Sequence, residues 1–281
     1  MGTSTSVPIP TLHLFPVLDR ELIALLKSLT PEEWEAPTLA RLWKVKDIAA
    51  HLLDGNIRSL SMLRDGYFGE RAEQINSYQD LVDFLNGLNA DWVKAMRRVS
   101  PAVLIDLLES TGKEYIDFLK TLPPHGTATF PVAWAGEAES ENWFHIAREY
   151  TEKWHHQQQI RLAVGKTQEL YSSELYHPYL DTSMRALPHH YREVSAGSGE
   201  VIRFTITGRG GGDWFLYREH GGWDLLEEFG LWPVCEVQID GTIAWRMFTK
   251  GISRQEAARH LTITGKTDLG ERVLDMLAVM A

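Results

Sequence analysis

At 281 residues the chain is longer than a usual single domain, so two domains are expected. Its 28 basic and 38 acidic residues leave a net charge of −10, which argues against nucleic-acid or anionic-membrane binding and favours a small-molecule partner. No stretch approaches the roughly 18 apolar residues of a membrane span, no charged region precedes an apolar core at the N-terminus, and the single cysteine permits no internal disulfide, so a cytoplasmic protein is expected.

The first 165 or so residues read as helices. Leu12 to Leu29 carries an apolar stripe. Thr30, Pro31, Glu32 and Glu33 then supply an N-cap, a proline at the first helical position and an acidic first turn, which open another short helix. Further helical patterns run from Val45 to Arg64, Tyr78 to Arg98, Ala102 to Leu119 and Glu141 to Val164. Ser100 and Pro101 open the third of these, and Pro123 and Pro124 follow its end. Long amphipathic helices with no strand pattern between them indicate a helical bundle.

Beyond Gly165 the period changes. A helical piece around Leu180 to Arg185 precedes Val201 to Thr207, where apolar residues largely alternate as in a strand. Glycines at 210–212 and 221–222 separate this strand from Asp213 to Tyr217 and Trp223 to Leu226, consistent with hairpins. A strand at Val234 to Ile239, a helix from Ala244 to Lys250, a short helix from Ser253, a strand at Leu261 to Thr264 and a helix after Thr267 complete the pattern. The expected fold class is α+β in two domains, a helical bundle over 1–168 and a small α+β domain over 169–281, joined by an exposed linker near 165–173. The glycine-rich run after Gly208 lies between strands and reads as a hairpin loop, not a phosphate cradle. Cys235 alternates with Val237 and Ile239, which assigns it to a core face.

Chemistry concentrates on two helices. At 100° per residue, Trp143, Ile146, Ala147, Tyr150 and Trp154 fall on one side of the 141–164 helix, and His145, Glu149, Glu152 and His156 on the other. Glu152 and His156 are one turn apart, so both can reach a single ion; a solvated polar face accounts for the same pattern. On the 45–64 helix His51 sits at the edge of the apolar face beside Gly55, as a ligand or a hydrogen-bonded structural histidine would.

The stretch Trp43, Val45, Asp47, His51 with its W-x-V-x-D-x-x-x-H spacing, followed later by Glu152 and His156 as E-x-x-x-H, resembles the DinB-like superfamily. The similarity is greatest to the mycothiol-dependent maleylpyruvate isomerase N-terminal domain, and it covers roughly residues 10–165. The stretch from Cys235 to Gly251 resembles the sterol-carrier-like C-terminal domain found with it. The resemblance implies a divalent metal, with zinc expected, held by His51, Glu152 and His156, and a low-molecular-weight thiol cofactor, mycothiol or an analogue. It also implies isomerisation of, or S-transfer to, a small electrophile. Where many members carry aspartate three residues after the second ligand histidine, this chain has Gln159. Arg58, two turns after His51, is the candidate partner for a substrate carboxylate.

Two other readings use the same residues. A carrier or regulatory protein would have an apolar pocket in the C-terminal domain and a structural metal with a fourth donor from His155 or His145. A hydrolase would activate water instead of a thiol.

Overall fold

Helical spacing of the apolar residues and well-formed caps build the first half of the chain. The computed structural model describes residues 6–70, 72, 74–226, 230 and 232–279. A 3₁₀ turn, Leu12–Leu14, leads into α1 (Phe15–Lys27), which buries Phe15, Leu18, Leu22, Leu25 and Leu26. Thr30 opens α2 (Pro31–Trp34) with a reciprocal cap: its Oγ1 accepts from the Glu33 N–H at 3.2 Å, and Glu33 Oε2 accepts from the Thr30 N–H at 2.8 Å. α3 (Val45–Ser59) runs on into a π-type turn, Leu60–Arg64. Ser77 and Ser100 cap α4 (Tyr78–Met96) and α5 (Pro101–Leu119).

The last long helix of the bundle, α6 (Asn142–Ala163), is buried on both faces. Ile146, Ala147, Tyr150 and Trp154 enter the core as the wheel requires, yet His145, His155, Gln157, Gln158 and Arg161 are buried as well. The polar face of this helix is therefore interior surface, not a solvated face. α3 packs antiparallel to it. The rings of His51 and His156 lie 4.6 Å apart, whereas Ser59, two turns further along α3, shares the Tyr115 hydroxyl with Glu149, two turns back along α6.

The connection out of α6 is packed. Leu170 and Tyr171 are buried in a short 3₁₀ turn, Gln168–Tyr171, and Arg161 pairs with Glu169 at 2.8 Å. α7 (Ser173–Met184) is longer than the helical piece expected around Leu180, because Pro178 interrupts the sequence signal without ending the helix. Tyr176 and Tyr179, both buried, hold it in place by packing. α8 (Leu187–His190) follows.

The second domain is a five-stranded mixed sheet of β1 (Val201–Thr207), β2 (Gly212–Arg218), β3 (Trp223–Leu226), β4 (Cys235–Asp240) and β5 (Leu261–Gly265), in the order β3-β2-β1-β4-β5. β1 pairs with β4 in parallel and the other pairs are antiparallel. α9 (Gly241–Phe248) and α10 (Arg254–Ala257) join β4 to β5, and α11 (Thr267–Gly270) follows. Alternation decides the faces. Ile202, Phe204, Ile206, Val237 and Ile239 are buried, while Arg203 on the opposite face pairs with Asp213 and Glu236.

One core runs through both domains. Trp154 of α6 stacks on Tyr176 at 4.8 Å and 12°, approaches Tyr179 at 4.3 Å and meets Trp245 of α9 edge-on at 6.1 Å. Tyr150 donates its hydroxyl proton to the Leu175 carbonyl at 2.7 Å. The bundle and the sheet domain are thus fastened by aromatic burial along one face of α6, while α3 and α1 pack against the rest of the helix. Among the described residues no helix is long and apolar enough to cross a membrane.

Candidate metal centre

Each residue of the W-x-V-x-D-x-x-x-H stretch has a physical task. The Trp43 ring lies 4.8 Å from that of His51, tilted by 45°, and closes one side of the imidazole. Val45 is fully buried and docks the start of α3 in the bundle core. Asp47 accepts from the Lys44 N–H at 3.1 Å at the head of the helix and pairs with Arg97 at 3.4 Å. The turn that presents His51 is consequently fixed from three directions.

Across from it on α6, His156 Nε2 lies 3.6 Å from Glu152 Oε2. The other nitrogen of His156, Nδ1, is 3.0 Å from Gln159 Oε1; an amide oxygen only accepts, so Nδ1 carries the proton. In its neutral form His156 therefore turns the Nε2 lone pair toward a carboxylate. Burial alone would raise the Glu152 carboxyl; the neighbouring imidazoles, His156 first among them, outweigh it and bring the group down to about 2, below the usual carboxylate range. His51 is driven well below the usual imidazole range, chiefly by burial, and its Nδ1 is buried with no hydrogen-bond partner among the described residues. The His51 ring lies 4.6 Å from that of His156, so two imidazoles and an ionised carboxylate meet between α3 and α6. This is the donor set that a divalent cation completes, so the residues fit a metal.

His155 also lies in this group. The metal-ligating atoms of Glu152, His155 and His156 fall within 4.8 Å of one another. Yet His155 Nδ1 donates to the Thr151 carbonyl at 2.9 Å, and Nδ1 is also the nitrogen found 4.0 Å from Glu152. The face it turns toward the carboxylate bears a proton already committed to the backbone. That bond leaves His155 Nε2 free, as the Gln159 bond does for His156; what assigns the third place to His51 is its position in the W-x-V-x-D-x-x-x-H stretch and its buried Nδ1, which has no hydrogen-bond partner among the described residues.

Residues 15–161 match the family model described as the Mycothiol maleylpyruvate isomerase N-terminal domain, more than half of the chain. The chain belongs to this family. Comparison with curated proteins gives no match. Among solved structures the chain is similar to a histidine-to-alanine mutant of the mycothiol-dependent maleylpyruvate isomerase, with 11% identity, a TM-score of 0.50, and 94% of this chain and 96% of that chain covered. The unmutated isomerase gives 12% identity, a TM-score of 0.49 and the same coverage. A ubiquinone synthesis protein, UbiJ-SCP2, is similar over 29% of this chain and 73% of its own, with 18% identity and a TM-score of 0.23. The first likeness shows a fold common to both domains.

For this member of the mycothiol maleylpyruvate isomerase N-terminal domain family, the departure at Gln159 has a structural meaning. The amide oxygen takes the proton of His156 Nδ1, so a neutral acceptor orients the ring. Arg58 stands near His51 but is engaged elsewhere: its guanidinium pairs with Asp54 at 3.4 Å and reaches Asn89 of α4 at 3.4 Å. Sequence reasoning missed Arg148, which lies on the same face of α6. Its Nη2 donates to His145 Nδ1 at 2.8 Å and to Glu149 Oε1 at 2.9 Å, and Glu149 accepts from the Tyr115 hydroxyl at 3.0 Å. The signal was present, since 148 stands three residues after 145 and four before 152 on the helical wheel.

Proposed function

We propose that this protein is a metal-dependent enzyme that uses a small thiol, mycothiol or an analogue, to isomerise a small electrophile of the maleylpyruvate class or to transfer sulfur to it. His51, Glu152 and His156 hold the ion. The observation that carries this reading is the unpartnered Nδ1 of His51, on a ring 4.6 Å from that of His156, whose Nε2 lies 3.6 Å from the Glu152 carboxylate. A divalent ion such as zinc, bound there, supplies a Lewis acid that lowers the pKa of a coordinating thiol.

The chain's own residues do the rest. Glu152 contributes the one negative charge among the ligands, Gln159 keeps the His156 lone pair pointed inward, and Trp43 shields His51 from solvent. The nucleophile comes from outside the chain, because Cys235 is buried in β4 and burial pushes its thiol up to about 11. A reduced small thiol belongs to the cytoplasm, where we place the protein.

The carrier reading finds less support. The described cavity between α8 and α11, about 500 Å³, is lined by His190, Glu193, Arg272 and Asp275, which is charged rather than apolar. The test is turnover of maleylpyruvate by metal-loaded protein with and without mycothiol. Activity that needs both supports the proposal; equal activity without any thiol would replace it with a water-activating hydrolase.

A further inference from the structure

Two features of the space between α3 and α6 are not explained by holding a metal. Gly55 lies one turn after His51, inside α3, where glycine weakens a helix relative to alanine. Its backbone is not in the left-handed region, and a Cβ built on it would meet nothing within 4 Å. Neither conformation nor packing therefore requires glycine. What the missing side chain preserves is open space. The antiparallel register that joins His51 to His156, and Ser59 to Glu149, sets Gly55 opposite Glu152.

The second feature is at the far end. Among the described residues, both hydrogen bonds of the Arg148 guanidinium are made by Nη2, to His145 and Glu149, although the side chain is only 12% exposed. His145 is 3% exposed; its Nδ1 accepts from Arg148, so its proton is on Nε2, which is buried without a partner. Arg148 and His145 are thus two neighbouring donors with unspent N–H groups in a nearly closed space. Two such donors call for an acceptor with two oxygens. From 148 to 156 the helix rises about 12 Å, enough for a ligand with one end at the metal ligands and the other at Arg148.

We propose that Arg148, assisted by His145, binds a carboxylate of the substrate in a trough whose middle Gly55 keeps open, and that this pair, not Arg58, selects acidic electrophiles. The proposal rests on the metal-site reading above for the ligand's other end. It differs from the expectation at Arg58 because Asp54 and Asn89 already engage that guanidinium on the α4 side.

Maleate, a small dicarboxylate, is the probe, titrated calorimetrically into metal-free and metal-loaded protein. Arg148→Gln is expected to weaken maleate binding at least tenfold, and Arg58→Gln less than twofold. Because Arg148 neutralises the half-buried Glu149, Arg148→Lys is the control for folding: it keeps the charge but loses the fork, and is expected to retain the fold and still weaken maleate severalfold. Gly55→Leu is expected to retain metal by elemental analysis and lose maleate. N-acetylcysteine, titrated alongside, separates the two sources of a carboxylate. Wild-type maleate affinity in a folded Arg148→Lys protein, or loss confined to N-acetylcysteine, overturns the proposal. Absence of metal from the wild-type protein would instead refute the metal reading, and the metal-free titration would still report on Arg148.

Discussion

The Nδ1–H of His156 donates to Oε1 of Gln159 across 3.0 Å, one turn further along α6. That bond decides which nitrogen of His156 faces Glu152, and so whether the site presents a lone pair or a proton. Gln159→Leu removes the acceptor and frees the ring to turn or to change tautomer. Metal affinity, measured by competition with a chelator, is expected to fall by about 10- to 100-fold. Gln159→Glu restores an acceptor and is expected to recover most of the loss. Equal affinity in the leucine variant would show that the tautomer is fixed by something else.

His51 and His155 make opposite predictions for metal retention. His51→Ala removes the unspent nitrogen and is expected to abolish stoichiometric metal, together with the rise in melting temperature that bound metal gives by mass action. His155→Asn removes a ring whose Nδ1 proton already serves the Thr151 carbonyl, and is expected to keep the metal. Elemental analysis and thermal unfolding with and without added zinc read both variants. Metal lost from His155→Asn and kept in His51→Ala would reverse the assignment.

Trp154 joins the two domains through Tyr176, Tyr179 and Trp245. Trp154→Ala is expected to cost about 3–5 kcal/mol in urea unfolding. The wild-type protein is expected to unfold in a single transition, since its core is continuous across the boundary. The variant is expected to separate into two transitions. A wild-type protein that already shows two would mean that the shared aromatic core does not couple the domains.

The helices, the strands and the change of period after Gly165 were legible because each rests on local spacing: Thr30 and Ser100 cap their helices, and the residues of β1 alternate in burial. Less legible was everything that depends on what an element packs against. The polar face of α6 has the same spacing whether water or α3 covers it, so His145 and Glu149 could not be told from surface residues. The linker near 165–173 looked exposed from composition, yet Leu170 and Tyr171 anchor it. Arg58 looked available because Asn89 belongs to another helix, and no sequence spacing reveals that contact.

Cys235 is expected to be inert in the native state. It is 1% exposed, and burial pushes its thiol up to about 11, so little thiolate exists near neutrality. Iodoacetamide is expected to label it only on unfolding. Cys235→Ala is expected to leave thiol-dependent turnover within about twofold while lowering stability by roughly 1 kcal/mol. Rapid labelling of the folded protein would restore an internal sulfur as the candidate nucleophile.

His145 sets a pH dependence of stability whose sign follows from its surroundings. Burial is the main cause that lowers its pKa from 6.5 to about 4; Arg148 acts in the same direction and Glu149 opposes them. In the folded protein the ring thus stays neutral where the unfolded chain protonates. The unfolded state binds more protons between these two values, so stability is complete above the unfolded pKa and is lost as pH falls through 6.5 toward about 4. His145→Gln removes this one titration and leaves the other acid-sensitive groups in place. The stability advantage of wild type over the variant is therefore expected to shrink by roughly 1–2 kcal/mol between about pH 7 and about pH 5, measured by urea unfolding. An advantage that stays constant or widens toward acid would mean that His145 is protonated in the fold, and its Nδ1 could then not accept from Arg148.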